Sequence, residues 1–76
     1  MGRFSHRHLA YILKNAYKTI KLGQYTHIKT GMNYNVTGIA LEEKTVTPVV
    51  VYRDANNIIW TRDLQDFSEK FSLKKN

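Results

Sequence analysis

Tyr25, His27 and Lys29 stand two residues apart, and Trp60 and Arg62 repeat that spacing late in the chain, soon after Tyr52 and Arg53. Residues two apart on a strand share one face. If the two faces coincide, these seven side chains form aromatic planes rimmed by cationic donors. That combination suits a ligand with a flat ring and a phosphate, since the ring stacks and the cations make charge-assisted hydrogen bonds. The competing reading makes Tyr25, Tyr52 and Trp60 core aromatics with bonded polar tips, and His27 a satisfied core histidine. Lys29 and Arg62 weigh against it for the cluster as a whole, because such groups resist burial without a partner.

A second constellation lies in the first half. Residues 1–41 carry six Lys or Arg and no Asp or Glu, whereas residues 42–76 carry six of each, so the net +6 belongs entirely to the first half. Advancing 100° per residue on a helix, Arg3, Arg7, Lys14, Lys18 and Lys21 fall within about 60° of one another. Arg3 joins the stripe only if the helix or its first turn reaches it. Tyr11 lies beside them. A solvated helix face normally alternates Lys with Glu to form pairs one turn apart. This one has no Glu, which predicts a face that meets phosphates or another anion.

Catalysis finds no footing. Glu42 and Glu43 are adjacent and point apart, a poor acid–base pair. The chain has no cysteine, no Gly-rich phosphate loop and no turn built around a nucleophilic serine. His6 and His8 diverge by about 200° on a helix and cannot share a metal there. Nothing joins His27 to Asp63 or Asp66 as a working pair. The expectation is a non-enzymatic protein with no cofactor and no metal.

The elements that must position these residues follow from periodicity. Leu9, Ile12, Leu13, Ala16, Tyr17 and Ile20 form one apolar stripe, predicting an amphipathic helix over residues 5–22 with Ser5 as N-cap and Gly23 as the stop. After Gly23 the period becomes two. "QYTHIK", "YNVTGIAL", "TVTPVVVYR" and "IIWTR" read as strands, separated by turns at Thr30–Asn33, Glu42–Lys44 and Asp54–Asn57. Strict alternation in the second sets Tyr34, Val36, Gly38 and Ala40 against Asn35, Thr37, Ile39 and Leu41. Gly38 predicts a bend, and Pro48 an edge, a strand start or a bulge. Asp63 should cap a short helical turn bearing Leu64, Phe67 and Phe71. "SLKKN" reads as a frayed or weakly paired tail.

The fold expected is α+β: an N-terminal amphipathic helix packed on a small, bent antiparallel sheet of four to five strands, of the Src-homology-3 open-barrel type. It forms a single domain, 1–76, divided into a basic helix (1–22), a barrel-like part (23–71) and a tail (72–76). A core this small leaves apolar surface over, which predicts a homo-oligomer. No apolar run approaches the ~20 residues of a membrane span. The Leu9–Leu13 patch is too short for a signal sequence, and Asn35-Val36-Thr37 reads as a chance glycosylation sequon. A cytoplasmic location is expected.

From Gly23 to Phe71 the chain resembles domain-of-unknown-function family 1653, a group of small bacterial and phage proteins. The matching residues are Gly23, Tyr25, His27, Lys29, Tyr34, Val36, Gly38 and Ala40, then Thr45, Val50–Tyr52, Arg53, Trp60, Arg62, Leu64 and Phe67. The family pattern has one residue fewer between the Lys and the next Tyr. It has an acidic residue where Lys44 stands and a Pro where Asp63 stands. The basic helix lies outside the resemblance. What the resemblance implies is a fold and a set of residues, since the family carries no assigned activity.

Three functions fit these residues. The first is a nucleic-acid-binding module whose helix tracks phosphates. The second is a phage-type oligomer that sequesters a small nucleotide between aromatic and Arg side chains. The third is a basic inhibitor docking on an acidic protein. Five aligned cations exceed what one small ligand needs, which favours nucleic acid.

Overall fold

The stripe beginning at Leu9 folds as helix α1, His6–Thr19, in the computed structural model, which describes residues 5–74. Ser5 caps it, its hydroxyl accepting from the His8 N–H at 3.1 Å. Such a cap is worth about 1 kcal/mol. The helix ends at Thr19, three residues short of the expected end at Leu22, because Ile20 turns extended (φ −117°, ψ 115°) while its N–H still bonds the Ala16 carbonyl. Two facts account for this. Leu22 is 54% exposed, so a longer helix would bury nothing more. The Lys21 carbonyl is taken by the Tyr25 hydroxyl at 2.9 Å. Lys21 is thus off the helix.

Strands β1 (Gly23–His27), β2 (Asn33–Glu42), β3 (Thr47–Arg53) and β4 (Ile59–Asp63) form the expected meander. Helix α2 (Leu64–Lys70) and strand β5 (Phe71–Leu73) follow. The sheet is antiparallel in the order β4-β3-β2-β1-β5 and stays open, with β4 and β5 as its edges. The segment read as a frayed or weakly paired tail is paired, its first residues extending the strand that begins at Phe71. Phe71 is buried in the core, and burying it lays the following residues along β1, Tyr25 opposite Leu73 and His27 opposite Phe71.

Strand β1 ends at His27 and a turn takes over. The Gly31 N–H bonds the His27 carbonyl at 2.7 Å with Gly31 at φ +77°, a conformation that a residue with a side chain seldom adopts. Lys29 therefore lies in a turn rather than on the strand face of Tyr25 and His27.

Simple alternation also fails in β2. Val36 pairs with Tyr52 and Gly38 with Val51, leaving Thr37 as the extra residue of a bulge. The bulge resets the pleat, so Val36 and Ile39, three apart, both enter the core while Ala40 is exposed. Pro48 sits near the start of β3, paired with Leu41 but beyond the reach of β4, whose pairing begins at Val49.

The core joins Ala16 and Ile20 of α1 to Tyr25, Val36, Ile39, Val50 and Tyr52 of the sheet and to Phe67 and Phe71. Strand β1 covers β2 only as far as Val36. Beyond that point α1 takes its place: the Tyr17 hydroxyl accepts the Ile39 N–H at 3.0 Å and donates to the Ile39 carbonyl at 3.5 Å. A strand edge with no strand beside it is closed by one side chain.

Candidate functional site

At the β4 edge the inner face of the sheet opens into a cleft of about 230 Å³ lined by Tyr34, Tyr52, Asp54, Trp60 and Arg62. The register brings these residues together. Tyr52 pairs with Trp60 and Val50 with Arg62, and paired residues share a face. Tyr52 is buried and forms the floor, with Tyr34 edge-on to it at 5.4 Å. Trp60 is 48% exposed, so its ring forms a wall rather than part of the core.

The β3–β4 turn fixes that wall. Asp54 Oδ1 accepts the N–H groups of Asn56 (2.8 Å) and Ile58 (3.0 Å), while Asn57 takes the left-handed conformation at φ 64° that Asn tolerates. Asp54 Oδ2 then accepts the Trp60 indole N–H at 2.9 Å. That bond, above all, holds the Asp54 carboxyl below the usual carboxylate range, with the two turn N–H groups assisting.

Arg62 is held from both sides. Its Nε–H donates to the Tyr52 hydroxyl at 3.4 Å, a Nη1–H donates to Asp66 Oδ2 at 2.7 Å, and its guanidinium lies 5.4 Å from the centre of the Phe71 ring. The bonds to Tyr52 and to Asp66 raise its pKa further above its already high ordinary value. Asp66 in turn is pulled below the usual carboxylate range by Lys70, at 3.0 Å, and by Arg62. Asp54 and Asp66 flank the one cation of the cleft. The site therefore offers stacking surfaces and directed N–H donors more than net positive charge.

The seven residues expected to form one pocket divide into four groups. Tyr52, Trp60 and Arg62 line the cleft. Tyr25 and His27 share its face but stand three strands away, about 14 Å, and the gap is filled by aromatic core. Tyr25 is buried edge-on to Phe67 at 5.2 Å. His27 lies edge-on to Phe71 at 4.8 Å, its Nδ1 accepting the Thr30 N–H at 3.2 Å. Tyr25 is the core aromatic of the competing reading, whereas His27 is only partly buried, at the edge of that core. Lys29 is exposed in the turn. Arg53, next to Tyr52, points to the opposite face and lines an adjoining hollow with Gln24, Asn33 and Asn35, which meets the cleft at Tyr34 and Asp54.

Tyr34 and Asp54, which complete the cleft, and Asp66, which holds Arg62, were not singled out as site residues from sequence. An Asp opening a D-x-N-N turn six residues before a Trp was the available signal for Asp54. Asp66 had a weaker one, its i, i+4 spacing to Lys70 on a helix.

The basic stripe survives on α1 as Arg7, Lys14 and Lys18, all exposed and opposite the buried Ala16. Among the described residues the ion pairs are Arg62–Asp66 and Lys70–Asp66, so these three cations have no acidic partner. Tyr11, 64% exposed, borders them. Lys21 is exposed beyond the helix, and Arg3 lies outside the described residues. No cluster of three or more His, Asp or Glu able to hold a metal occurs among the described residues. No helix there is long and apolar enough to cross a membrane.

Residues 23–76 match the model of a family described as protein of unknown function (DUF1653), which leaves α1 outside the matched region. No curated protein and no solved structure matches the chain significantly.

Proposed function

The chain belongs to the DUF1653 family, and we propose that it is a non-enzymatic module that binds nucleic acid through the phosphate backbone. One observation carries this reading: Arg7, Lys14 and Lys18 lie exposed on one side of α1 with no acidic partner among the described residues. Lys14 and Lys18 are one turn apart, where like charges cost an isolated helix about 0.2–0.5 kcal/mol. Among the described residues no acidic side chain offsets that cost. A polyanion does, and each phosphate contact also releases a condensed counterion. At 1.5 Å rise per residue the three cations spread over roughly 16 Å, which suits an extended ligand better than a small one. The exposed Tyr11 ring beside them offers a surface for a base or sugar.

Anisotropy of labelled DNA and RNA tests the reading. Binding should be largely indifferent to sequence, because phosphate contacts position without specifying. An absence of binding to every DNA and RNA at about 50 mM salt would remove it. The cations would then belong to an acidic protein partner. The reading places the protein in the cytoplasm with its ligand.

The cleft supports a second reading, capture of a single nucleotide, through one feature: the half-exposed Trp60 ring standing over Tyr52 and beside Arg62. Its base would stack, and the Arg62 N–H groups left free by Tyr52 and Asp66 would meet a phosphate.

A further inference from the structure

The hydrogen-bonding phase of the sheet can be followed from Tyr17 outward. Ile39 gives both its backbone groups to the Tyr17 hydroxyl, so they point away from β3. The Ile39–Val50 pair is therefore one of the non-bonded pairs of the antiparallel ladder. Val50 must then turn its N–H and C=O toward β4 and exchange bonds with Arg62, and Tyr52 does the same with Trp60. The Asp54 N–H to Ile58 carbonyl bond at 3.0 Å, one step further on, has the same phase. Ile59 and Thr61 consequently direct their N–H and C=O groups out of the sheet, along an edge with no strand beside it.

That edge lacks the strongest guards. Neither Pro nor Lys occurs in Ile59–Asp63, and Ile58, Ile59 and Trp60 are 50%, 65% and 48% exposed. The opposite edge, β5, is only three residues long and runs into Lys74.

We propose that β4 pairs with β4 of a second copy about a two-fold axis at Thr61, and that each copy thereby supplies Arg62 to the cleft of the other. The register is self-complementary. Thr61 faces the partner's Thr61, each N–H donating to the other's carbonyl, and Ile59 faces the partner's Asp63. Trp60 faces the partner's Arg62 in a non-bonded pair, where opposed side chains come closest. No like charges oppose each other in this register. The Trp60 face is half exposed in the single chain, and a guanidinium over an indole is the favourable cation–π arrangement. Each cleft keeps its own Arg62 and gains a second guanidinium at its Trp60 wall.

Sedimentation velocity on the full chain at high micromolar concentration should show a dimer. Thr61→Pro removes a donor that faces away from β3, so the intramolecular ladder keeps its bonds while dimerisation weakens by about tenfold or more. Thr61→Lys and Thr61→Glu each set like charges directly opposite one another and weaken it by about fivefold, and mixing the two variants restores a one-to-one dimer. That rescue cannot arise from a folding defect in either chain. A strictly monomeric wild type would overturn the proposal. So would a dimer whose affinity none of the three substitutions changes.

Discussion

The Tyr17 hydroxyl closes the backbone of Ile39, accepting its N–H at 3.0 Å and donating to its carbonyl at 3.5 Å, at the point where β1 no longer covers β2. The contact ties α1, which lies outside the family-matched residues, to the family sheet. Tyr17→Phe keeps the ring but leaves the Ile39 N–H unpaired, and should cost about 1–2 kcal/mol. Urea unfolding measures the change, and an unaltered midpoint would show that water replaces the hydroxyl without loss.

The bond from Trp60 to Asp54 makes the only tryptophan a reporter of one carboxylate. The Asp54 pKa lies below its ordinary value in the folded chain, so protonation favours unfolding. The contribution is complete above the unfolded value, about 3.9, and is lost as pH falls through the lower folded value. Trp60 emission should therefore titrate with a midpoint below 3.9, and Asp54→Asn should abolish that step. A midpoint at or above the ordinary carboxylate value would contradict the geometry.

Asp66 joins Arg62 and Lys70, with side chains that remain 38%, 32% and 51% exposed respectively. Solvent screening keeps such pairs weak, so Asp66→Asn should leave the unfolding midpoint nearly unchanged. Its larger effect should fall on Arg62, whose 2.7 Å bond loses its charged acceptor. If the cleft takes a nucleotide, a nucleoside monophosphate quenches Trp60 saturably, Asp66→Asn tightens that response and Arg62→Ala removes it. Should Arg62→Ala instead unfold the chain, the residue is structural and the nucleotide reading fails.

The sequence patterns that carried over to the structure are those in which burial and local geometry agree. The i, i+3, i+4 stripe around Ala16, the Asp63 cap, the Asp54 turn and the four-strand meander are of this kind. Asp63 accepts from Gln65 and Asp66 as a cap should. What was illegible depends on contacts distant in sequence. The bulge at Thr37 arises because Val36 and Ile39 must both enter one core, against the period-two pattern. Strand β5 exists because Phe71 stacks on Phe67 at 4.1 Å, which brings the following residues beside β1. The expected single pocket came apart for the same reason. Alternation puts Tyr25 with His27 and Trp60 with Arg62, and the register sets both pairs and Tyr52 on one face, but alternation says nothing of how many strands separate two residues on one face. Lys29 was lost to a turn and Lys21 to an early helix end, both set by the closure around His27 and Ile20.

The central claim rests on the unpaired cations of α1, and the salt dependence of binding tests it most directly. Three phosphate contacts from Arg7, Lys14 and Lys18 predict a slope of about −2.7 for log affinity against log salt on duplex DNA, from about −0.9 per contact. Changing Lys14 and Lys18 together to Gln should flatten it to about −0.9, with the melting curve retained because both side chains are exposed and have no acidic partner among the described residues. A slope unchanged by the double substitution, or no binding by the wild-type chain, would contradict the account.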